Sequence, residues 1–197
     1  MIKIRVPATS ANLGPGFDVF GLALKSEETN TASSNSKVID AFLELQVQTL
    51  PGKSPSVLNC EITCEGEGAD VLKKQLPNEN LITRVALYVL RCHGHHEFPS
   101  FTKVRIINGI PLSRGLGSSA AATVAGVLLG NEVGDLGLSR NRMFDYALMV
   151  EIQNHPDNVA AALFGGFVST IMKTLSPEDT ARVLELAKAG STVERFD

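Results

Sequence analysis

One stretch, Pro111 to Gly126 (PLSRGLGSSAAATVAG), constrains the fold of this 197-residue chain more than any other. A segment of alternating apolar residues leads directly into it and predicts a strand. Gly115 and Gly117 can adopt backbone angles that other residues avoid, which favours a tight turn after that strand. Ser118 is a favourable N-cap, and the alanines that follow predict a helix over residues 119–129. The stretch therefore predicts a strand, a glycine-rich turn and a helix in direct succession.

Such a succession leaves backbone N–H groups without acceptors at the positive end of a helix dipole, where anions and above all phosphate groups bind. Two serines at the helix start, Ser118 and Ser119, favour a phosphate site because hydroxyl oxygens suit both phosphate and Mg²⁺. The Walker A pattern is absent, since no lysine follows the glycines. The turn alone leaves open a second interpretation, a connection between strand and helix that binds no ligand.

Composition limits the classes of protein to which the chain can belong. With 44% hydrophobic residues it can bury one sizeable core or two small ones, and its net charge of −3 argues against a nucleic-acid binder. The cysteines number three, no secretory signal precedes the first strand pattern, and no apolar run reaches the length that crosses a membrane. We therefore expect a cytoplasmic protein with no nucleic-acid and no membrane partner. A homodimer is one option for its assembly.

The order of the predicted elements favours an α+β fold, because most strand patterns precede most helical ones. The strand patterns fall at residues 2–6, 42–48, 58–64, 102–106 and 168–172, and the helical patterns at 80–93, 119–129, 139–153, 157–163 and 177–189. Residues 25–37 are polar and without periodicity, and they predict a disordered surface insertion.

A polar loop over residues 7–18 follows the first strand and contains Asn12, Gly14, Gly16 and Asp18. These residue types are common in turns, so an ordinary turn explains them without any function. A substrate pocket is the other interpretation, because an asparagine offers a donor and an acceptor and an aspartate suits an ammonium group or a hydroxyl.

Glu151 shares a predicted helical face with Phe144, Ala147 and Leu148. A carboxylate on an apolar stripe is costly unless it is paired or bound to a metal, so Glu151 is a candidate Mg²⁺ ligand. A glutamate that turns to solvent at the helix end is the alternative. His155 precedes a proline, which predicts an extended or turn conformation in which it binds substrate or caps the next helix.

The cysteines and histidines of residues 92–96 do not have the spacing of a zinc finger, and we do not expect them to bind zinc. Cys60 and Cys64 lie on the apolar face of a predicted strand and are expected in the core.

Three motifs together carry a resemblance to a known family. They are PATSANLGPGFDVFGLAL at 7–24, IPLSRGLGSSAAATVAG at 110–126 and HPDNVAAALFGGF at 155–167. Through them the chain resembles the homoserine kinases of the GHMP small-molecule kinase superfamily. The segments NLITRVALYVLRCHG and LGNEVGDLGLSRNRMFDYALMVE are similar to the fungal form.

The resemblance implies ATP-dependent phosphorylation of the L-homoserine hydroxyl to O-phospho-L-homoserine, a step of threonine biosynthesis. Homoserine would contact Asn12, Asp18 and His155, with Asp18 facing its ammonium group. Mg²⁺ would be held by Ser119, with or without Ser118, and by Glu151. The residues implied for the ATP phosphates are Pro111, Leu112, Ser113, Arg114, Gly115, Leu116, Gly117, Ser118, Ser119, Ala120 and Ala121.

Asn158 falls where other members of the superfamily carry a catalytic aspartate. An asparagine cannot act as a general base. The predicted catalytic residues, Glu151, Ser119 and Asn158, would therefore work by positioning and charge stabilisation, with the hydroxyl proton passing to the phosphate.

The resemblance also implies a fold and a division into domains. Residues 1–175 would form a GHMP kinase N-terminal domain, a ribosomal-protein-like β-α-β fold with a mixed or antiparallel sheet and helices packed on one side. An insertion at 25–41 would interrupt it, and residues 176–197 would begin a linker to a C-terminal domain that we expect to be missing. Another GHMP kinase and a nucleotide-binding fragment without catalysis are the alternatives that stay open.

Overall fold

The computed structural model describes residues 1–25, 41–150, 156–171 and 178. Within these ranges the chain forms strands and helices in the following order: β1 (Ile2–Pro7), β2 (Thr9–Ala11), β3 (Phe20–Ala23), β4 (Phe42–Leu50), β5 (Cys60–Gly66), α1 (Ala69–Leu72), α2 (Leu81–Arg91), β6 (Phe101–Asn108), α3 (Ser118–Gly134), α4 (Arg140–Val150), α5 (Pro156–Phe164) and β7 (Phe167–Ser169).

The larger sheet has four strands in the order β1-β4-β6-β5. β4 pairs antiparallel with β1 and with β6, and its Leu45 lies opposite Ile4 on one side and Ile106 on the other. β5 runs parallel to β6, and α1 and α2 make the connection between these two strands. The sheet is therefore mixed, and the predicted α+β fold is confirmed.

Helices cover one face of this sheet, because every second residue of its strands is apolar and buried. The inner face consists of Val6, Leu45, Val47, Cys60, Val104 and Ile106, each no more than 1% exposed. α3 packs on β1 and β4, and α2 packs on α3. The outer face is charged and forms ion pairs between strands, among them Lys3–Glu44 at 3.0 Å and Arg105–Glu65 at 2.8 Å.

α2 and α3 approach each other closely at two glycines of α3. A Cβ atom on Gly126 would lie 2.5 Å from the carbonyl oxygen of Ile82, and one on Gly130 would lie 2.8 Å from that of Ala86. Glycine at these positions lets two backbones meet where any side chain would separate them.

The smaller sheet has the order β2-β3-β7 and is antiparallel throughout. α5 lies against β3, where Gly21 meets the backbone carbonyl of Asp157 so closely that a Cβ atom would overlap it. This contact fixes the start of α5 against the sheet.

Several predicted boundaries are wrong. Ser118 is the first residue of α3 and not its N-cap, which is Gly117, and the helix continues to Gly134. Part of the predicted loop at 7–18 is strand β2. Leu58 does not continue the strand pattern of β5, because its left-handed backbone (φ 59°) places it in a short turn before the strand.

The helix predicted from residue 80 begins one residue later, because Asn80 is its N-cap and accepts a hydrogen bond from the Ile82 amide at 3.1 Å. The predicted start of a helix at Ser139 is confirmed, since Ser139 Oγ accepts a hydrogen bond from the Arg142 amide at 3.2 Å before α4. Cys60 and Cys64 are buried, as expected.

Three sequence predictions fall outside the described residues. They are the insertion at 25–41 apart from its two end residues, the helix at 177–189 apart from residue 178, and the roles of Glu151 and His155. Among the residues that the structure describes, no helix is both long and apolar enough to cross a membrane.

Candidate active site

Residues 113–120, which comprise the turn before α3 and the first three residues of that helix, curve around a pocket of about 230 Å³, and we call them the glycine loop. Asn158, in the first turn of α5, lines the same pocket. Of the residues predicted to hold phosphate, Pro111, Leu112 and Ala121 lie outside this lining. The structure therefore joins two sequence-predicted site elements, the glycine loop and Asn158, that are about forty residues apart in the chain.

The glycine loop turns through three left-handed residues, Ser113 (φ 56°), Gly115 (φ 69°) and Gly117 (φ 63°). At Gly117 the need for glycine is twofold, because a Cβ atom there would also overlap Thr9 Oγ1. The first hydrogen bond at the start of α3 runs from the Ala121 amide to the Gly117 carbonyl at 2.8 Å. The N-terminus of α3 therefore lies at the pocket, where the helix dipole favours a negative charge.

Thr9 ties the glycine loop to α5. Its backbone amide donates to the carbonyl of Leu116 at 3.1 Å, and its Oγ1 donates to Oδ1 of Asn158 at 2.7 Å. Thr9 is fully buried. A residue of β2 thus links the two elements that line the pocket.

Asp157 is a buried carboxylate next to the pocket, with no exposed surface. Its Oδ1 accepts a hydrogen bond from the backbone N–H of Asn158 at 2.7 Å and a second one from the side-chain Nδ2 of Asn158 at 3.5 Å. Among the described residues its Oδ2 has no hydrogen-bond partner. A carboxylate at the N-terminus of a nine-residue helix is favoured by the helix dipole.

A second pocket of about 240 Å³, which we call the apolar crevice, begins at the other side of Ser118 and Ser119. Its apolar lining comes from separate elements and consists of Leu43, Leu72, Leu81, Ile82, Ile106, Leu112 and Ala122. Gln75, Glu79 and Asn80 supply polar groups. A mostly apolar crevice with a few polar groups suits a heteroaromatic ring, and it lies beside a site that suits phosphate.

Asn12 and Asp18 lie together in the turn between β2 and β3, and neither lines either pocket. Both have left-handed backbones (φ 59° and 55°), and the Asp18 amide donates to Asn12 Oδ1 at 2.7 Å. Both are exposed. Their predicted contact with substrate stays a prediction, as do the roles of Glu151 and His155.

Sequence reasoning missed Thr9 and the apolar crevice. The Thr9 side chain gives no signal in sequence, because threonine is common in strands. Asp157 belongs to the candidate site at 151–158, but its contact with Asn158 is not predicted by the sequence. The crevice draws on five separate stretches of chain, so no local pattern predicts it.

Comparison with known proteins agrees with this geometry. The family model described as "GHMP kinases N terminal domain" matches residues 80–166, a span that contains the glycine loop and Asn158. The chain is 47% identical over 186 residues to a homoserine kinase of Saccharomyces cerevisiae, with 91% of this chain and 47% of that protein covered. A homoserine kinase of Candida albicans is 47% identical over 178 residues, with 90% of this chain and 45% of that protein covered.

Solved structures show the same likeness. The crystal structure of a homoserine kinase from Cytophaga hutchinsonii superposes with a TM-score of 0.65 at 28% identity, and covers 87% of this chain and 48% of that one. The chain spans about half the length of the curated relatives that it matches.

Proposed function

Since the chain belongs to the homoserine kinase family, within the GHMP kinases, we propose that it binds ATP and takes part in phosphorylation of the L-homoserine hydroxyl. The observation that carries the proposal is the shared pocket of the glycine loop and Asn158. The glycine loop on one side of this pocket suits phosphate, and on the other side the Asn158 side-chain amide can bind a polar group of a substrate.

The nucleotide has a continuous place on this surface. Its phosphates would lie in the glycine loop, against the N-terminus of a 17-residue helix whose dipole favours negative charge. Its base would enter the apolar crevice, because Ser118 and Ser119 line both pockets. Arg114, exposed and on the lining of the phosphate side, adds a positive charge there.

Mg²⁺ fits the residues at the start of α3. This ion keeps several waters and takes phosphate oxygens, so it needs only one or two oxygen ligands from the protein. Ser119 is an exposed hydroxyl on the lining of both pockets, and Glu151 is the proposed second ligand. When bound, the ion would neutralise charge on the ATP phosphates.

In the proposed reaction the homoserine hydroxyl oxygen forms a bond to the γ-phosphorus while the bond from that phosphorus to ADP breaks. The hydroxyl proton passes to an oxygen of the transferred phosphoryl group. Asn158 lines the phosphate pocket, where its amide holds the reacting hydroxyl without accepting its proton. Asn12, Asp18 and His155 are proposed to hold the rest of homoserine, with Asp18 on its ammonium group.

A nucleotide-binding module without turnover is the second candidate, because both pockets suit a nucleotide and neither is lined by Asn12 or Asp18, the residues proposed for homoserine. For both candidates we propose a role in threonine biosynthesis, because the relatives of the chain are homoserine kinases, and we propose ATP as the ligand of both. A cytoplasmic location belongs to the same proposal, and cysteines outside any disulfide, as Cys60, Cys64 and Cys92 are, suit a reducing compartment.

ADP release by the purified chain distinguishes the two candidates. With Mg-ATP, we expect release that requires L-homoserine and does not occur with L-serine, whose hydroxyl is one carbon nearer the ammonium group. Bound nucleotide without release for any alcohol would contradict the kinase proposal for this chain and leave the module. Glu151→Gln should weaken nucleotide binding with Mg²⁺ and leave binding in EDTA unchanged, and equal affinities with Mg²⁺ would exclude Glu151 as a ligand.

A further inference from the structure

The side chain of Asn158 has its two ends held by different partners. Thr9 Oγ1 donates to Oδ1 at 2.7 Å, and Nδ2 faces Oδ1 of Asp157 at 3.5 Å. Both partners are fully buried, so water does not compete for these contacts.

These two contacts determine which of the two positions of the side-chain amide holds Oδ1 and which holds Nδ2. In the reversed orientation the Asn158 oxygen would face a carboxylate oxygen of Asp157, and two acceptors would meet with no hydrogen between them. Asp157 therefore selects the orientation with Nδ2 on its side, and the Thr9 hydroxyl completes it by donating to the oxygen.

The orientation has a chemical consequence for the pocket. An amide nitrogen carries two N–H groups, and Asp157 engages only one of them. The amide oxygen is already engaged by Thr9. Asn158 therefore presents an N–H donor to the pocket that it lines, and an oxygen bound there is held as an acceptor.

We propose that Thr9 and Asp157 are positioning residues that lock Asn158 as a hydrogen-bond donor toward the reacting hydroxyl. The inference rests on the proposed function for the identity of that hydroxyl. Held by a donor, the hydroxyl keeps its own hydrogen free to point at the phosphate, which is where the proposed reaction sends the proton.

The backbone of Thr9 does not need its hydroxyl. Thr9 pairs with Ala23 of β3, and its amide is already bound to Leu116. Valine has almost the same shape, so Thr9→Val removes the hydroxyl with little change of volume, and Thr9→Ser restores it. Thr102 is an equally buried threonine of β6 whose Oγ1 donates to the Ser100 carbonyl, and Thr102→Val is the matched control.

The test is hydrogen exchange of the Asn158 side-chain amide in the ¹⁵N-labelled 197-residue chain, with its signals assigned by their loss in Asn158→Ala. We expect two distinct N–H signals, of which the one facing Asp157 exchanges more slowly than the one facing the pocket. Thr9→Val should speed the slower exchange about tenfold, the equivalent of one net hydrogen bond, while Thr9→Ser and Thr102→Val leave it within about twofold. Asp157→Asn, which replaces one carboxylate oxygen by a donor, should also shift the Nδ2 resonance.

Equal, unprotected exchange of both Asn158 N–H groups in the unmodified chain, or unchanged exchange in Thr9→Val, would overturn the proposal. If Thr9→Val does not fold, the Asp157→Asn resonance decides, and an unmoved resonance counts against the proposal. The readout needs no turnover, so a failure of the kinase proposal appears separately, as absent ADP release. Where turnover occurs, Thr9→Val should lower kcat with little change in the KM for ATP, and Thr9→Ser should restore it.

Discussion

The two sheets of the molecule differ in how completely they are covered. The inner face of the four-stranded sheet is buried under α3, and the apolar side chains along it are almost fully hidden. Around the three-stranded sheet, Phe17, Phe167 and Ile171 are 72%, 62% and 81% exposed. The nucleotide side of the proposed site is thus supported by a closed core, whereas the acceptor side stands on a sheet that leaves large apolar side chains in solvent.

This difference suggests that the nucleotide side and the acceptor side of the proposed site are supported by different contacts. The glycine loop is held to a fully buried residue, because the Thr9 amide donates to the carbonyl of Leu116 in the loop. Asn12 and Asp18 are both exposed, and the Asp18 amide donates to Asn12 Oδ1. We therefore predict that the proposed nucleotide binding is more robust than the proposed homoserine binding.

The largest effect should separate two phenylalanines. Phe98 is fully buried in the core, so Phe98→Ala should lower the free energy of unfolding by about 3–5 kcal/mol. Phe167→Ala, on the exposed sheet, should cost less than about 1 kcal/mol, although it loses a ring contact with Phe20. Urea unfolding of the two variants measures this, and equal losses would contradict the comparison.

Gly126→Ala tests the close approach of α2 and α3. Alanine in a helix normally stabilises by about 1 kcal/mol relative to glycine. Here the new methyl group would lie 2.5 Å from a carbonyl oxygen of α2, so we expect a loss of about 1–3 kcal/mol instead. Thermal unfolding gives the sign, and a stabilised variant would show that the helices are farther apart.

Two glycines of the glycine loop form a matched pair. Both have left-handed backbones, so alanine at either should cost roughly 1–2 kcal/mol of strain. A Cβ atom on Gly115 would meet nothing within 4 Å, but one on Gly117 would displace Thr9. Gly117→Ala should therefore weaken ATP binding more than Gly115→Ala in calorimetric titration, and the reverse order would place the phosphates elsewhere.

Cysteine alkylation gives the smallest effect and tests how well the covered face is sealed. Burial raises the pKa of Cys60 from 9.0 to about 12, and burial also raises the pKa of Cys64, so both thiols stay protonated. Iodoacetamide at pH 8 should modify the half-buried Cys92 first, as read by peptide mass spectrometry.

The raised pKa of Cys60 also predicts a pH dependence. Because it lies above the value in the unfolded chain, the stability linked to this thiol is complete below about pH 9 and falls as the pH rises toward 12. In the alkylation experiment, early modification of Cys60 in the native protein would show that solvent reaches the inner face of the four-stranded sheet.

The parts of the fold that the sequence predicted are those that local patterns control. Alternation places Leu43, Leu45 and Val47 on the inner face of β4, and apolar spacing predicts helix α2. The predicted start of α3 is one residue late, and the close approach of its cap Gly117 to Thr9, over a hundred residues away, is not visible in a local pattern. Asn158 is a candidate in the sequence, but its catalytic role comes only through the family resemblance, and its contact with Thr9 becomes visible only in the folded chain.

The most direct test of the account is ATP titration of the ¹⁵N-labelled chain with Mg²⁺, followed through its backbone amide resonances. We predict that the amides of residues 113–120 shift the most, that the amides around the apolar crevice also move, and that adenosine moves only the latter. Shifts that leave residues 113–120 unmoved under saturating ATP would contradict the claim that this loop binds the phosphates.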